Sequence, residues 1–207
     1  MAWKTEKLAD RKFIRLYDLQ YAEGKHYYNA SRRSEDTLVC QMTDSEFYGL
    51  IPDRISCVLI IKNDGEEPKI LMSRELRYPV GRYIMSIPAG LIDEEDRTLP
   101  RDEAIKITAI REIREETGLE FREGDEIEII NPCLFSSPGM TDESNAMVRV
   151  ILKNVSPEGL TASGCVGDEA ISGYMLLNRR EAAEAMKEGH MCVYAWLALA
   201  DFVNGDL

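Results

Sequence analysis

Long apolar segments are absent from the sequence. No run of about eighteen uninterrupted apolar residues occurs, and a membrane-spanning helix needs about twenty. The N-terminal stretch MAWKTEKLADRK also lacks the apolar segment of a secretory signal peptide. We therefore expect a cytoplasmic protein that makes no contact with a membrane.

Cysteine and histidine are scarce, with five cysteines and two histidines in 207 residues. The cysteines are widely scattered, odd in number and never arranged as Cys-x-x-Cys. We expect them to be reduced and mostly buried. They are Cys40, Cys57, Cys133, Cys165 and Cys192. The two histidines, His26 and His190, show no partner pattern that would indicate a metal ligand.

Positive charge is also in short supply, because 25 Lys and Arg residues stand against 37 Asp and Glu residues, a net charge of −12. Such a chain repels phosphate backbones and anionic lipid heads, which argues against a nucleic-acid or membrane-surface partner. It can still bind a phosphorylated small molecule if divalent cations bridge the two sets of oxygens. With 44% apolar residues the chain can bury one sizeable core.

Two regions differ in their strand patterns. Short stretches rich in aromatic and β-branched residues predict strands at 11–21, 26–33 and 37–42, which could form a separate small sheet. Further strands are predicted at 56–63, 68–76 and 82–90, the first of them buried on both faces because it is almost continuously apolar. We therefore divide the chain into an extension, 1–50, and a main domain, 51–207.

The period then changes from strand to helix. After Pro100, apolar residues recur at helical spacing until Gly118, which predicts one amphipathic helix. Strand patterns return at 125–135, 145–155 and 171–177, followed by a helix capped by Asn178 and an apolar helix at 193–203. Strands, helix, strands and helices in this order predict a mixed α/β layered domain.

Carboxylates crowd the end of the central helix. On a helix, Glu112, Glu115 and Glu116 fall within an arc of about 100° and form one acidic face. Such a face is most often only solvated, and Arg111 and Arg114 could offset its repulsion. It is also what a hard divalent cation requires, since such ions take oxygen ligands. The surrounding sequence has to decide between the two interpretations.

That surrounding sequence resembles the Nudix hydrolase family. The family motif reads Gly, five residues, Glu, seven residues, then Arg-Glu-apolar-x-Glu-Glu-x-Gly-apolar. Arg111 to Leu119 matches the whole second half, and Glu103 fits the first glutamate when counted back from Arg111. The loop after Gly90 is seven residues longer than the family spacing.

The resemblance implies a fold, a cofactor and a set of ligands. It implies a Nudix-type α/β/α sandwich with a mixed sheet, in addition to the small N-terminal antiparallel extension. It also implies that Glu112, Glu115 and Glu116 hold Mg²⁺, with Mn²⁺ as a substitute, and that the Ala89 carbonyl adds a ligand. Arg111 would orient the acidic cluster. Hydrolysis would use a metal-activated water. By the same resemblance, Glu115 and Arg111 would belong to the catalytic group.

Two further stretches resemble the ADP-ribose pyrophosphatase branch of the family. They are RELRYPVGRYIMSIPAGLID at 74–93 and SSPGMTDES at 136–144. The resemblance implies that Pro138 and Gly139 contact a nucleoside diphosphate linked to another group. The first expected substrate is ADP-ribose, cleaved to AMP and ribose 5-phosphate.

A phosphate contact and a proton acceptor remain to be assigned. A guanidinium pairs phosphate oxygens in a fixed fork, so Arg77 is the first candidate and Arg82 the second, although both could be ordinary surface arginines. In this branch the proton acceptor comes from an acidic loop well after the motif. Glu169 is the first candidate, as base or additional metal ligand, followed by Asp168 and then Glu143. A loop carboxylate with no special role is about as compatible with the sequence.

The resemblance also implies that the N-terminal strands form a dimerisation sheet, and hence a homodimer. Three alternatives stay open: a pyrophosphatase for other nucleotide substrates, such as GDP-mannose-type sugars, dinucleoside polyphosphates or a coenzyme; a module that senses ADP-ribose without cleaving it; and a purely structural interaction protein. The last would leave the complete motif unexplained.

Overall fold

The N-terminal part of the chain forms a small antiparallel sheet. In the computed structural model, which describes residues 4–163, 170–187 and 189–205, this sheet has the order β1-β2-β3. The strands are β1 (Lys4–Asp10), β2 (Arg15–Ala22) and β3 (Lys25–Ser31). Sequence patterns missed β1, because its residues are almost all polar and mostly exposed and it carries no aromatic or β-branched run.

The strand predicted at 37–42 is wrong. The chain there makes two short 3-10 turns, Glu35–Thr37 and Val39–Gln41, and continues into α1 (Asp44–Tyr48). The apolar residues that suggested a strand belong instead to a small buried cluster, in which Leu38 packs against Tyr17 and Leu19 of the small sheet. Periodicity alone does not distinguish a buried turn from a short buried strand.

The main sheet is mixed. Within the described residues it has seven strands, in the order β10-β5-β4-β9-β8, with β6 paired to β5 and β7 paired to β4. The pair β4/β9 is parallel, whereas the other pairs are antiparallel. The strands are β4 (Arg54–Lys62), β5 (Lys69–Arg77), β6 (Arg82–Ser86), β7 (Ala89–Leu91), β8 (Glu126–Phe135), β9 (Ser144–Lys153) and β10 (Ile171–Leu177).

Helices cover both faces of this sheet, as predicted. They are α2 (Arg101–Thr117), α3 (Arg179–Ala185) and α4 (Val193–Asn204). Alternate side chains of β4 point to opposite faces, so that Ile55 and Leu59 join the core cluster of α2, whereas Val58 and Ile60 join that of α4. The predicted α/β/α layering is confirmed. None of the helices in the described ranges is long and apolar enough to cross a membrane.

The central helix begins and ends where the sequence indicated. Pro100 is its N-cap residue, and the chain leaves it at Gly118 with a φ of 73°, in the left-handed region. Ile105, Ala109 and Ile113 are fully buried against the sheet. The position of α2 is therefore fixed along its whole apolar face.

Asp53 joins the small sheet to the main sheet. Its Oδ1 lies 2.7 Å from Nη2 of Arg33, and the two side chains are only 8% and 10% exposed. Its Oδ2 accepts hydrogen bonds from the amide and hydroxyl of Ser144, both at 2.8 Å. Its backbone carbonyl accepts from the Ile92 amide at 3.0 Å and from Arg97 Nη2 at 3.4 Å. One residue therefore connects the N-terminal segment, the start of β9 and the loop after β7.

We expect Asp53→Ala to lower the free energy of unfolding by about 3–5 kcal/mol, because it leaves the buried Arg33 guanidinium without its carboxylate. Urea denaturation would measure the loss, with Asp44→Ala, an exposed position on α1, as the control. A loss below about 1 kcal/mol, within the range of an exposed ion pair, would contradict the connecting role of Asp53.

Candidate active site

The C-terminal half of α2 carries the predicted acidic cluster. Its apolar stripe holds the helix against the sheet, so the adjoining glutamates turn towards β7. Glu112 and Glu116 are buried, at 5% and 7% exposure, whereas the side chain of Glu115 is 26% exposed. The hydroxyl of Tyr174 on β10 donates a hydrogen bond to the backbone carbonyl of Glu116. The cluster therefore has a buried side and a side that faces solvent.

Arg111 links these glutamates to the loop after β7. Its Nη1 lies 2.7 Å from Oε1 of Glu112 and 3.4 Å from Oε2 of Glu115. Its Nη2 donates to the Leu91 carbonyl at 2.9 Å and lies 3.2 Å from Oδ2 of Asp93. Burial alone would lower the pKa of this guanidinium, but Glu112, Asp93 and Glu115 outweigh burial and raise the pKa. Arg111 therefore stays charged and holds both glutamates.

The backbone of β7 approaches the cluster closely. The Ala89 amide donates to Oε2 of Glu116 at 3.2 Å. A Cβ atom on Gly90 would lie 1.9 Å from the carboxylate carbon of Glu112, so any larger residue here would force the Glu112 carboxylate to move. The absence of a side chain at Gly90 therefore leaves the Glu112 carboxylate its present position. The predicted ligand Ala89 lies beside the glutamates, and the role of its carbonyl stays a prediction.

A buried thiol lies under the cluster. Cys57 of β4 is fully buried, and its amide donates to the Pro88 carbonyl at 2.8 Å. Burial raises the pKa of the thiol well above its ordinary value, and the negative charges of Glu116 and Glu112 raise it further. The Cys57 thiol therefore stays uncharged beside the two carboxylates.

The donors fit a hard divalent cation in their chemistry, because carboxylate oxygens and a backbone carbonyl are the ligands that Mg²⁺ and Mn²⁺ prefer. In the arrangement as it stands, no group of three or more His, Cys, Asp or Glu side chains within the described ranges is placed to hold an ion. The cation between Glu112 and Glu115 is instead the guanidinium of Arg111.

The predicted phosphate-binding arginines face each other across the β5–β6 hairpin, since Arg77 pairs with Arg82 in the strand register. Arg77 Nη2 lies 2.8 Å from Oε2 of Glu75 and 3.3 Å from Oγ of Ser86. Arg82 is exposed and donates to the Gly81 carbonyl at 2.8 Å. The hairpin leads into β7, whose backbone lies beside the acidic cluster.

The loop with Pro138 and Gly139 lies against the small sheet. The hydroxyl of Tyr27 donates to the Gly139 carbonyl at 2.9 Å, and the Ala30 amide donates to the Met140 carbonyl at 2.9 Å. The structure therefore brings this predicted substrate loop to the N-terminal extension.

Of the acidic candidates, Glu169 and Asp168 lie outside the described residues. Glu143 lies 2.8 Å from Nε of Arg32, so it holds an ion pair at the base of the small sheet. Glu103 lies exposed in the first turn of α2.

Sequence reasoning missed a cationic cavity beside the acidic cluster. It has a volume of about 610 Å³. Its basic lining residues are Lys12, Arg15, Arg32, Arg33 and Arg97. Leu91 lines the same cavity and offers its carbonyl to Arg111, so the cavity and the cluster adjoin. Basic residues at 11–15 and 32–33, in a chain of net charge −12, were the available signal.

Comparison with known proteins identifies the family. A family model described as NUDIX domain matches residues 52–197. The chain belongs to the NUDIX domain family, and the predicted membership is confirmed.

Three curated relatives illustrate the similarity. An ADP-ribose pyrophosphatase of Saccharomyces cerevisiae is 30% identical over 155 residues, which cover 74% of this chain and 59% of the relative. An ADP-ribose pyrophosphatase of Bacillus subtilis is 35% identical over 42% of this chain and 39% of the relative. An uncharacterized Nudix hydrolase of Schizosaccharomyces pombe is 32% identical over 50% and 43%. The chain thus spans about half the length of the curated relatives it matches. These names support the predicted branch.

A solved structure of an ADP compounds hydrolase superposes with a TM-score of 0.49 at 16% identity, over 90% of this chain and 83% of that one.

We expect Gly90→Ala to displace the Glu112 carboxylate and break its contact with Arg111. The new methyl group would occupy the place of a buried side chain, so the free energy of unfolding should fall by about 1–3 kcal/mol. Thermal and urea denaturation would measure this loss. Gly159→Ala is the matched control, because a Cβ there meets nothing within 4 Å. Equal stability of the two variants would show that the approach of β7 to Glu112 is not as close as described.

Proposed function

We propose that the protein is a Nudix pyrophosphohydrolase that cleaves the diphosphate bond of a nucleoside diphosphate linked to another group. The proposed first substrate is ADP-ribose, which water would split into AMP and ribose 5-phosphate. The observation that carries this proposal is the complete Arg111–Leu119 motif, folded as one helix end with two buried glutamates against the Ala89–Gly90 backbone. Relatives named ADP-ribose pyrophosphatase support the substrate.

The proposed cofactor is Mg²⁺, with Mn²⁺ as a substitute, held by Glu112, Glu115, Glu116 and the Ala89 carbonyl. A divalent ion, when bound, neutralises charge on the diphosphate and lowers the pKa of a coordinated water. The chain itself positions the donors: Arg111 orients Glu112 and Glu115, and the Ala89 amide orients Glu116. Binding of an ion would require these carboxylates to move closer together, because no three of them within the described ranges are placed to hold one and Arg111 now lies between Glu112 and Glu115.

Proton transfer from the attacking water is proposed for Glu169, with Asp168 as the next candidate. Glu115 is proposed as a catalytic ligand, because it is the most exposed of the three glutamates and so the nearest to a solvent-borne substrate. Glu143 is less suited to act as a base, since the Arg32 guanidinium engages its carboxylate.

The cationic cavity is the proposed place for part of the substrate. It shares Leu91 with the surroundings of the acidic cluster, and its five basic lining residues outnumber the carboxylates of Asp53 and Glu94, so it favours an anion. One end of an elongated anionic substrate could therefore lie in the cavity while the scissile bond lies over the glutamates. Arg77 and Arg82, with Pro138 and Gly139, are proposed as additional substrate contacts.

Two alternatives differ from this proposal in substrate or in outcome. One is a pyrophosphatase for GDP-mannose-type nucleotide sugars, because the base-selecting residues of this family stand on variable loops. The other is a non-cleaving module that senses ADP-ribose. The retention of Glu112, Glu115 and Glu116 favours cleavage over sensing.

We also propose a homodimer formed through the N-terminal extension, 1–50, with the catalytic domain at 51–207. Apolar side chains are exposed on the outer face of the small sheet, Leu16 at 38% and Tyr28 at 59%, and on the adjoining loop, Met140 at 69%. Adjoining exposed apolar residues of this kind mark interaction surfaces more often than single ones do.

We expect Glu116→Gln to abolish metal-dependent turnover, at least a hundredfold in kcat, because it removes one charged metal ligand. The fold should persist, since the glutamine oxygen can still accept from the Ala89 amide. A coupled phosphatase assay on ADP-ribose, GDP-mannose, UDP-glucose, NADH and diadenosine polyphosphates would measure turnover, first with Mg²⁺ and then with EDTA.

Glu120→Gln, an exposed position just after α2, is the matched control and should keep full turnover. Unchanged turnover in Glu116→Gln would contradict the proposed mechanism. Turnover strongest on another panel member would keep the mechanism and change the substrate, whereas binding of ADP-ribose without turnover would favour the sensor.

We expect Tyr28→Asp to convert the proposed dimer into monomers, because it places a charge beside Leu16 and Met140 on the proposed contact face and a second carboxylate opposite Asp18. Sedimentation equilibrium would report a mass of twice 23.5 kDa for the natural sequence and 23.5 kDa for the variant. Tyr48→Asp, at an exposed residue on α1 away from this face, is the control. A natural sequence that sediments as a monomer at micromolar concentration would contradict the dimer.

A further inference from the structure

Arg111 lies where it competes with a divalent cation. Its Nη1 atom is 2.7 Å from Oε1 of Glu112 and 3.4 Å from Oε2 of Glu115, and both carboxylates are proposed ligands of the ion. A guanidinium and a divalent cation are both positive, so they compete for these oxygens and repel each other. Binding of an ion therefore requires a second place for the guanidinium, with a second negative partner.

The loop after β7 offers such a place. Nη2 of Arg111 donates to the Leu91 carbonyl at 2.9 Å and lies 3.2 Å from Oδ2 of Asp93. The carbonyl has no net charge, whereas the Asp93 carboxylate has a full negative charge. Among the described ion pairs of Arg111, the pair with Asp93 is the one that involves no proposed metal ligand. Asp93 can therefore keep the guanidinium paired while the glutamates turn to an ion.

The backbone on both sides of Asp93 is held in place. The Ile92 amide donates to the Asp53 carbonyl at 3.0 Å, and the Arg97 amide donates to the Asp93 carbonyl at 3.2 Å. The side chain of Asp93 is 56% exposed, whereas that of Glu112 is 7% exposed. Movement of the guanidinium towards Asp93 would therefore carry its charge away from the buried side of the cluster.

We propose that Asp93 is a positioning residue, which holds the Arg111 guanidinium on the loop after β7 while a divalent cation takes the carboxylates of Glu112 and Glu115. Without an ion, Asp93 shares the guanidinium with these two glutamates. Outer groups of this kind change metal affinity by about 10–100-fold when they are removed. The inference rests on the proposed metal site, and it does not depend on which nucleotide is the substrate.

Mn²⁺ affinity in the absence of substrate measures this role. The full chain is stripped with EDTA, dialysed and titrated with Mn²⁺ by isothermal titration calorimetry. Asp93→Asn should bind the ion about tenfold more weakly, a difference of about 1.4 kcal/mol, because an Arg111 without Asp93 stays on the glutamates. Glu95→Gln removes the same charge from an exposed position of the same loop. This control should change the affinity by no more than about twofold, because solvent and salt screen an exposed charge.

Thermal unfolding separates positioning from stability. In EDTA, Asp93→Asn should melt close to the natural sequence, because the ion pair that it loses is partly exposed. A fixed Mn²⁺ concentration should raise the melting temperature of the variant less than that of the natural sequence, since stabilisation by a ligand follows its affinity. A purely structural role would instead lower the melting temperature equally with and without Mn²⁺, and this result would overturn the proposal.

A double-mutant cycle tests whether Asp93 acts through Arg111. An Arg111→Met chain has no guanidinium to hold, so Asp93→Asn in that chain should weaken Mn²⁺ binding no more than Glu95→Gln does. A full loss of about tenfold there would mean that Asp93 binds the ion itself, which would overturn the proposal. If Arg111→Met does not fold, the comparison of Asp93→Asn with Glu95→Gln in the otherwise natural chain still decides.

Two further outcomes separate this inference from the proposed function. Equal Mn²⁺ affinity of Asp93→Asn and the natural sequence would overturn the inference alone. Absence of Mn²⁺ binding to the natural sequence at millimolar concentration would overturn the inference and the proposed metal site together. Mn²⁺ binding that depends on Asp93, without turnover of any nucleotide in the substrate panel, would support the positioning role and contradict the proposed hydrolysis.

Discussion

The burial of two carboxylates against a backbone is the constraint on which the site depends. Glu112 and Glu116 lose their water at the end of α2, and a buried charge is tolerated only when it is paired and hydrogen-bonded. Arg111 supplies the pairing for one and the Ala89 amide supplies a hydrogen bond for the other. Gly90 leaves room for the Glu112 carboxylate beside the strand, because a Cβ atom there would lie 1.9 Å from it. Helix, strand and arginine therefore have to be correct together.

The second connection runs through Asp53. A single buried carboxylate pairs with Arg33, binds the start of β9 through Ser144, and holds the loop after β7 through its carbonyl. That loop carries Asp93, which in turn binds Arg111. A contiguous set of contacts therefore joins the N-terminal extension to the acidic cluster. A change at the small sheet therefore has a structural route to the glutamates.

The sequence predicted some elements well for physical reasons. The central helix has a proline at its start, a left-handed glycine at its end and an apolar stripe between them, and all three signals agree with the structure. The buried β4 strand was equally clear, because an uninterrupted apolar run is typical of a strand covered on both faces. The glutamates were placed by their motif, which is local in the chain.

Other features depend on contacts between distant segments, and periodicity carries no information about those. The pattern at residues 37–42 predicts a strand, but Leu38 is apolar because it packs against the small sheet. Exposed β1 has no apolar pattern and exists through its pairing with β2. The cationic cavity gathers basic residues from the β1–β2 turn, from the segment after β3 and from the loop after β7. Only the folded chain shows that they meet.

The seven additional residues between Gly90 and Glu103 illustrate the same principle. They form a loop with a short 3-10 turn, Asp96–Thr98, rather than an open excursion. Arg97 is bound to the carbonyls of Ile51 and Asp53, and the buried Thr108 of α2 donates to Asp96 at 3.5 Å. The loop is therefore docked on the helix that it precedes, and it leaves the glutamates in place. It also adds Arg97 to the cationic cavity, so the departure from the family spacing brings a positive charge towards the place proposed for the substrate.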